Sequence, residues 1–449
     1  MRPTWGKRAT SRPAGVTPHG VAHARRGIRA RFATLRAAGA SALAAFLVVL
    51  GPGLLAGLSD DDPAGITTYS VLGTDHGYRL LWIIPLSTAL LVQFHLVAVR
   101  IGAATGKGFV GLIRERWGRG WGYLSVVLLL FANFGTICAE YAGVAAAGSL
   151  IGVPTWASAP AAGVLITLVV LLGSFHRIER VLLVISSTLG LYIIDGILAS
   201  PVWSEVAAGS LVPRLPETEA GWVAITASLG TTLAPWGLAF IQSYAVDKRI
   251  TAETMPWARW DVIIGSILTG VIGLAIAVAC AATLHQAGVR IESAGDAAAA
   301  LRPLAGRFAT VLFGAGLLGA SLLAATIVPM ATAYSIAEGA GEPASLDLDA
   351  RHFQWFYAAF VGLTVAAVSV VVLPGLPLIP LIYASQVVNA VVLPLHLIAL
   401  VLLSSDLSIM GTLCSTRRGT VLGWGSVVLV VLCVAAMAWW SSASGAATR

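Results

Sequence analysis

Charged side chains are scarce in this sequence. Asp, Glu, Lys and Arg supply 11% of its 449 residues, against roughly 25% in a soluble globular chain. That excludes an ordinary water-exposed surface, and the 57% of hydrophobic residues point to a low-dielectric surrounding instead. Cysteine is as rare: Cys138, Cys280, Cys414 and Cys433 form no CxxC pair and three of them fall in apolar runs. A disulfide framework and a cysteine zinc site are therefore not expected. Walker, HExxH and GxSxG motifs are missing, and the segments between apolar runs are too short for an ATP-hydrolysing domain, so the chain does not read as an enzyme. The short alternating segments of an outer-membrane barrel are missing too. The net charge of +7 resides in a tail and in loops, where it speaks of membrane topology rather than of a nucleic-acid partner. Nothing calls for a cofactor.

Long apolar runs are what the sequence has. On the criterion of ~20 residues per crossing, the expected spans are 41–73, 79–101, 118–149, 157–174, 180–200, 220–246, 258–285, 305–338, 353–374, 377–403 and 419–440. They predict an all-α membrane protein of about eleven transmembrane helices. Residues 1–40 form a basic tail with Arg25, Arg26, Arg29, Arg31 and Arg36, expected to be disordered and cytoplasmic. Its apolar continuation is the first span itself, not a cleaved leader. Lys107, Arg114, Arg116 and Arg119, then Arg177 and Arg180, Lys248 and Arg249, and Arg417 and Arg418 fall in alternate loops. Positive charge stays inside, so the sequence predicts a multi-pass plasma-membrane protein with its N-terminus cytoplasmic and its C-terminus outside.

Two of the spans are interrupted. Residues 58–69 read LSDDDPAGITTY, and residues 234–237 read APWG. Pro63 and Gly65 in the first span match Pro235 and Gly237 in the sixth. Proline removes an N–H and clashes with the preceding turn, whereas glycine leaves helical dihedrals without steric cost. These four residues are the expected helix breaks. Five helices per unit place the first and sixth spans in corresponding positions, and an odd number inverts the second unit. The transport core is therefore expected over 41–403, as two inverted units at about 41–200 and 220–403, with 419–440 as an eleventh helix. Paired interrupted spans point to a binding site near the bilayer midplane.

The break in the first span is acidic. Each Asp at the centre of a membrane helix costs on the order of 2.5–3.5 kcal/mol, and freed carbonyls in hydrocarbon must be satisfied by protein, water or an ion. A carboxylate beside unwound carbonyls is an oxygen-rich cavity suited to a cation. Successive helical residues point about 100° apart, so the three Asp cannot all converge on one ion. Asp62, adjoining the break, is the expected ligand; Asp60 and Asp61 line the aqueous approach or pair elsewhere. A helix cap is the plainer role for Asp62.

The stretch GPGLLAGLSDDDPAGITTYS resembles the first helix of the Nramp divalent-metal transporters, and more closely the Nramp-related branch that includes magnesium transporters. The resemblance spans the first ten runs and implies a LeuT-type fold of two inverted five-helix repeats with broken first and sixth helices. It implies a secondary transporter that moves a divalent metal ion by alternating access, with the ion as substrate and the bilayer as surrounding. Ala64 and Gly65 stand where the family has Gly and Asn, and Ala234-Pro235-Trp236 where it has Met-Pro-His. Loss of the soft thioether leaves oxygen donors, which favour Mg²⁺ and next Mn²⁺. With no His in 220–246, proton coupling is not expected. Glu140 matches the family's third-helix glutamate, Ile137 replaces a second acid, and Gln386 matches a metal-facing glutamine.

The expected metal site is thus Asp62, Ala234, Gln386 and Asn389, with Asp60, Asp61, Glu140 and Thr231 along the ion pathway. Bland roles stand beside these: Glu140 as a protonated interhelical partner, Gln386 and Asn389 as polar glue, Thr231 and Thr232 as partners of freed backbone groups. Asp195 reads as interfacial, Trp439 and Trp440 as interfacial anchors, and His95 and His176 lack metal-ligand spacing. Two other functions remain open. A LeuT-fold symporter of amino acids or organic cations would place a substrate carboxylate where three Asp stand, and a receptor or scaffold would leave the twin breaks without a role.

Overall fold

In hydrocarbon every backbone N–H and C=O must be paired within its own segment, so apolar runs can only become helices. The computed structural model describes residues 62–171, 190–247, 250, 254–300, 306, 309–341 and 354–447, and all regular structure there is helical. In chain order the helices are α1 Pro63–His76, α2 Ile83–Thr105, α3 Phe109–Trp117, α4 Arg119–Leu150, α5 Thr155–Leu171, α6 Leu191–Leu198, α7 Trp203–Leu211 and α8 Glu219–Thr232. There follow α9 Pro235–Asp247, α10 Met255–Cys280, α11 Ala294–Ala299, α12 Ala309–Ala340, α13 Gln354–Val371, α14 Leu378–Ser405, α15 Leu407–Met410 and α16 Arg417–Ala447. A π-helical turn, Ala281–His285, prolongs α10.

Seven of the helical segments described are long and apolar enough to cross a membrane, α8 and α9 counting together as one, and two shorter apolar helices lie at Thr155–Leu171 and Trp355–Val371. The expected tail 1–40, the first half of the first span, Asp60, Asp61, Arg177, Arg180 and His176 lie outside the described residues. Helix ends follow the sequence chemistry. Gly77 and Gly106 stop α1 and α2 at φ 57° and 63°, a left-handed backbone that only glycine adopts cheaply.

The connections sort to two ends of the bundle. At one end, Arg116 pairs with Asp406 at 2.9 Å, Gln242 donates to the Lys107 carbonyl at 3.0 Å, and Arg100 donates to Ser415 at 2.6 Å. At the other end, Trp82 Nε1 donates to the Arg214 carbonyl at 3.1 Å, and His285 Nδ1 meets the Thr74 carbonyl at 2.7 Å. The basic loops 107–119 and 406–418 thus share the α3 end, and α7 marks the opposite one. α1 runs from mid-bundle toward the α7 end, whereas α8 runs from that end back to mid-bundle.

Helices in lipid are held by close packing of small residues rather than by expulsion of water. A Cβ on Gly73 would lie 2.1 Å from the Ala277 carbonyl oxygen, one on Gly230 1.9 Å from that of Gln386, and one on Gly143 2.4 Å from Pro63 Cγ. Glycine therefore sets three crossings: α1 on α10, α8 on α14, and α4 on the start of α1. Ala64, Ala234 and Trp236 share one buried cluster with α4, α12 and α13 side chains such as Tyr141, Leu323 and Phe360.

Candidate functional site

Asp62 stands at the head of α1 with an extended backbone, φ −76° and ψ 177°. Its Oδ1 accepts from Gly65 N at 2.7 Å, and Pro63 takes the first helical position, where a missing N–H costs nothing. The cap is present, and the side chain that makes it is only 4% exposed. The sixth span breaks at Leu233 and Ala234, between the last turn of α8 and Pro235 at the start of α9. Gly65 and Gly237 lie inside the first turns of α1 and α9, so the unwound residues precede each proline rather than lying between proline and glycine. The reason is the proline itself: its fixed φ starts a helix as readily as its missing N–H ends one. Pro235 offers no N–H to the Thr231 carbonyl four residues back, while the Ala234 carbonyl accepts from Gly237 N at 3.0 Å and Leu238 N at 3.3 Å.

α4 supplies the second carboxylate. Gly143 lets its backbone rest on Pro63, and Glu140, one turn earlier on the same face, turns its carboxyl toward that of Asp62. Glu140 is fully buried, and neither of its oxygens meets a donor at hydrogen-bond distance among the described residues. One turn further back, Thr136 Oγ1 accepts from Asn389 Nδ2 at 3.0 Å. The same amide donates to Gln386 Oε1 at 3.0 Å, and Gln386 Nε2 donates to Ser385 at 2.7 Å. Both amides are buried, and Asn389 Oδ1 is left without a donor. The Gly230 crossing closes the circuit, because it seats α14 at Gln386 one turn before Ala234.

Asp62, Glu140, Asn389, Gln386 and the sixth-span break are therefore linked through successive contacts of α1, α4, α14 and α8. The donor set is oxygen throughout, with Glu140 and Asn389 presenting acceptors that the protein does not satisfy. A buried acceptor without a donor is costly; a hard cation relieves it. Thr231 is buried in the last turn of α8, but its neighbour Thr232 makes the crossing bonds, to Tyr69 at 2.8 Å and Ser87 at 3.0 Å. Ile137 is buried in apolar contacts.

Sequence reasoning missed some polar residues. Asn133 donates to Thr332 at 2.8 Å, and its Oδ1 has no donor. Asn133, Thr136 and Glu140 recur at helical spacing, a polar stripe that the sequence does carry. Asp195, read as interfacial, is fully buried in α6. Its helix packs against α10, Cys280 lies nearby, and Ile194, Ile197 and Leu198 on the same helix are exposed. Trp439, read as an anchor, is 73% exposed on α16.

Antiparallel half-helices meeting at mid-bundle beside buried carboxylates define a polytopic membrane protein with discontinuous helices, the architecture of secondary transporters. Residues 53–440 match the family model described as natural resistance-associated macrophage protein-like, and the chain belongs to this Nramp family. It is similar to the divalent metal cation transporter MntH of Deinococcus radiodurans, 28% identical over 414 residues, covering 89% of this chain and 91% of that protein. Among solved structures it resembles a mutant manganese transporter of Eremococcus coleocola, with TM-score 0.71 and 24% identity over 88% of this chain and 87% of that one. MhsT in complex with L-phenylalanine superposes with TM-score 0.58 and 17% identity, over 88% and 99% of the two chains. The expected LeuT-type fold is the fold of this chain.

Proposed function

We propose that this protein is a secondary transporter of a hard divalent metal cation, Mg²⁺ first and Mn²⁺ next, working by alternating access in the plasma membrane without proton coupling. The observation that carries the reading is the oxygen-only set at the breaks: Asp62 and Glu140 face each other, and Asn389 Oδ1 and both Glu140 oxygens have no protein donor. Two carboxylates this close repel unless a proton or a cation lies between them, and a divalent ion removes that repulsion. Asp62 supplies charge, Gln386 and Asn389 supply amide oxygen, and the break near Ala234 supplies peptide oxygen. Ala234 brings no thioether, and its small side chain leaves room for the waters that Mg²⁺ gives up reluctantly.

Membership of the Nramp family and similarity to a protein named a divalent metal cation transporter support the cargo class. The absence of His from 220–246 supports uncoupled passage, driven by the ion gradient and membrane potential. The clustering of basic residues at the α3 end supports a cytoplasmic α3 end. The deciding experiment is a flux panel in proteoliposomes with Mg²⁺, Mn²⁺ and Ca²⁺ and an internal pH dye. The expected result is saturable Mg²⁺ and Mn²⁺ uptake without acidification. Uptake of Mn²⁺ that Mg²⁺ cannot compete away, or proton influx on adding metal, overturns the hard-ion or the uncoupled part respectively.

A further inference from the structure

A second concavity lies away from the breaks, at the α7 end of the bundle. It is a cavity of about 730 Å³ between the end of α1, α7 and the π turn that prolongs α10. Two imidazoles line it, His76 from the last turn of α1 and His285 from the π turn. Asp75 and Glu205 in the same wall balance the charges of Arg79 and Arg214, and Arg79 turns to Glu217 at 3.9 Å. The 14 residues of α1, at about 1.5 Å per residue, put this wall roughly 20 Å along the helix from Asp62.

Both rings are held as metal-binding rings are. His285 Nδ1 lies 2.7 Å from the Thr74 carbonyl. A carbonyl only accepts, so Nδ1 carries the proton, and the neutral ring keeps its lone pair on Nε2. A ring N–H tied to a backbone carbonyl is the outer contact that orients an imidazole toward a metal. His285 is an exposed residue of the cavity wall, and its Nε2 lies beside the residue after His76: a Cβ on Gly77 would stand 2.8 Å from it. The His76 ring feels the charge of His285, and the Ala220 carbonyl in the first turn of α8 takes its ring proton. Burial lowers His76 from its ordinary value, with Asp75 opposing and His285 and Arg79 adding to the fall. Its second nitrogen therefore stays unprotonated at neutral pH. Helices widen into π turns most often at functional sites, and here the π turn ends on His285 itself.

We propose that His76 and His285 form a second metal site, which takes a borderline transition ion of the Zn²⁺ class from the water at the α7 end. Imidazole nitrogen suits such ions, whereas Mg²⁺ takes oxygen. No third His, Cys, Asp or Glu converges with the pair among the described residues, so water completes the shell. At ~30 Å³ per water molecule the cavity has room for it. Nitrogen donors set this site apart from the oxygen set at the breaks.

The test is carbethoxylation of histidines in the full chain in lipid nanodiscs, read residue by residue by peptide mass spectrometry with Zn²⁺, with Mg²⁺ and with neither. Zn²⁺ is expected to protect His285 and His76 together and saturably, and Mg²⁺ to protect neither. His285→Gln should raise the Zn²⁺ needed to protect His76 by roughly tenfold or more. Asp62→Asn should leave the protection intact, because the breaks give this site no donor; failure of the transport reading and failure of this site therefore show separately. Equal labelling of His285 with and without Zn²⁺, equal protection by Mg²⁺, protection lost in Asp62→Asn, or His76 protection unmoved by His285→Gln overturns the proposal. The unaltered protein decides the first two outcomes even if a variant fails to fold.

Discussion

Glu338 Oε1 accepts from Ser243 Oγ at 3.0 Å, joining the last turn of α12 to α9. Its Oε2 accepts from Val110 N at 3.0 Å and Gly111 N at 3.2 Å, at the positive end of α3. One carboxylate thus clasps three elements at the α3 end, on the side where α9 leaves the sixth-span break. Hydrogen bonds to a charged group contribute about 1.5–3 kcal/mol. Glu338→Ala should therefore open this end more often, and amide exchange across 107–117 should quicken by roughly tenfold to a hundredfold. Glu338→Gln, which keeps an acceptor, should fall between. Exchange unaltered in Glu338→Ala would show that the clasp holds nothing.

Asp62 both caps a helix and carries charge, and the two roles separate on substitution. Asparagine caps as well as aspartate, so Asp62→Asn should keep its bond to Gly65 and melt close to the unaltered protein. Metal uptake should nonetheless fall to background, because the charge is gone. Asp62→Ala should lose uptake and about 1 kcal/mol of stability with the cap. Uptake surviving in Asp62→Asn with normal affinity sinks the site.

Gly230 is the narrowest crossing in the site. A Cβ there would sit 1.9 Å from the Gln386 carbonyl oxygen, which is backbone and cannot rotate aside. Gly230→Ala should push α8 from α14, lower the melting temperature by an amount equivalent to about 1–3 kcal/mol, and impair uptake by displacing Gln386 from the break. Gly425, with open space around it, is the control: Gly425→Ala should leave uptake alone. Thermal melts and flux on the same samples check both.

At the α3 end, the Ser408 hydroxyl, and with it Arg116, holds the Asp406 carboxyl below the usual carboxylate range. A lowered folded value stabilises the protein above the unfolded value of ~3.9 and loses that contribution as pH falls through the folded one. The pair is half open to water, so the effect is under about 1 kcal/mol. Melting of Asp406→Asn should lie slightly below the unaltered protein at pH 6 and converge with it below pH ~3.9. A gap that widens on acidification would contradict this sign.

The helix start at Pro63 and the break before Pro235 were legible because proline acts on its own chain, whatever packs around it. Glu140 was legible because a carboxylate inside an apolar run needs a reason. Glu338 was not, for its partners Val110 and Ser243 lie 228 and 95 residues away and its own span end looks like any interfacial acid. The cover of Asp195 was not legible for the same reason: distance along a span does not reveal which neighbour lies over a side chain. Thr232 outdid Thr231 because one residue turns a helical side chain by about 100°, which a list of polar residues ignores. Gly65 and Gly237 were placed in the unwound chain, yet proline alone suffices to restart the helix.

Two glycines put main chains of different helices in direct touch, Gly73 with Ala277 and Gly230 with Gln386, and a third, Gly143, lies against the rigid ring of Pro63. Surfaces so bare of side chains cannot slide without a collision of main chains or of a proline ring that cannot rotate aside, so α1 with α10 and α4, and α8 with α14, should travel as blocks. The blocks can part where the sixth span has no helix to bend, at Leu233 and Ala234, with α9 going along with α2, because a Cβ on Gly102 would lie 2.6 Å from the Gln242 carbonyl oxygen.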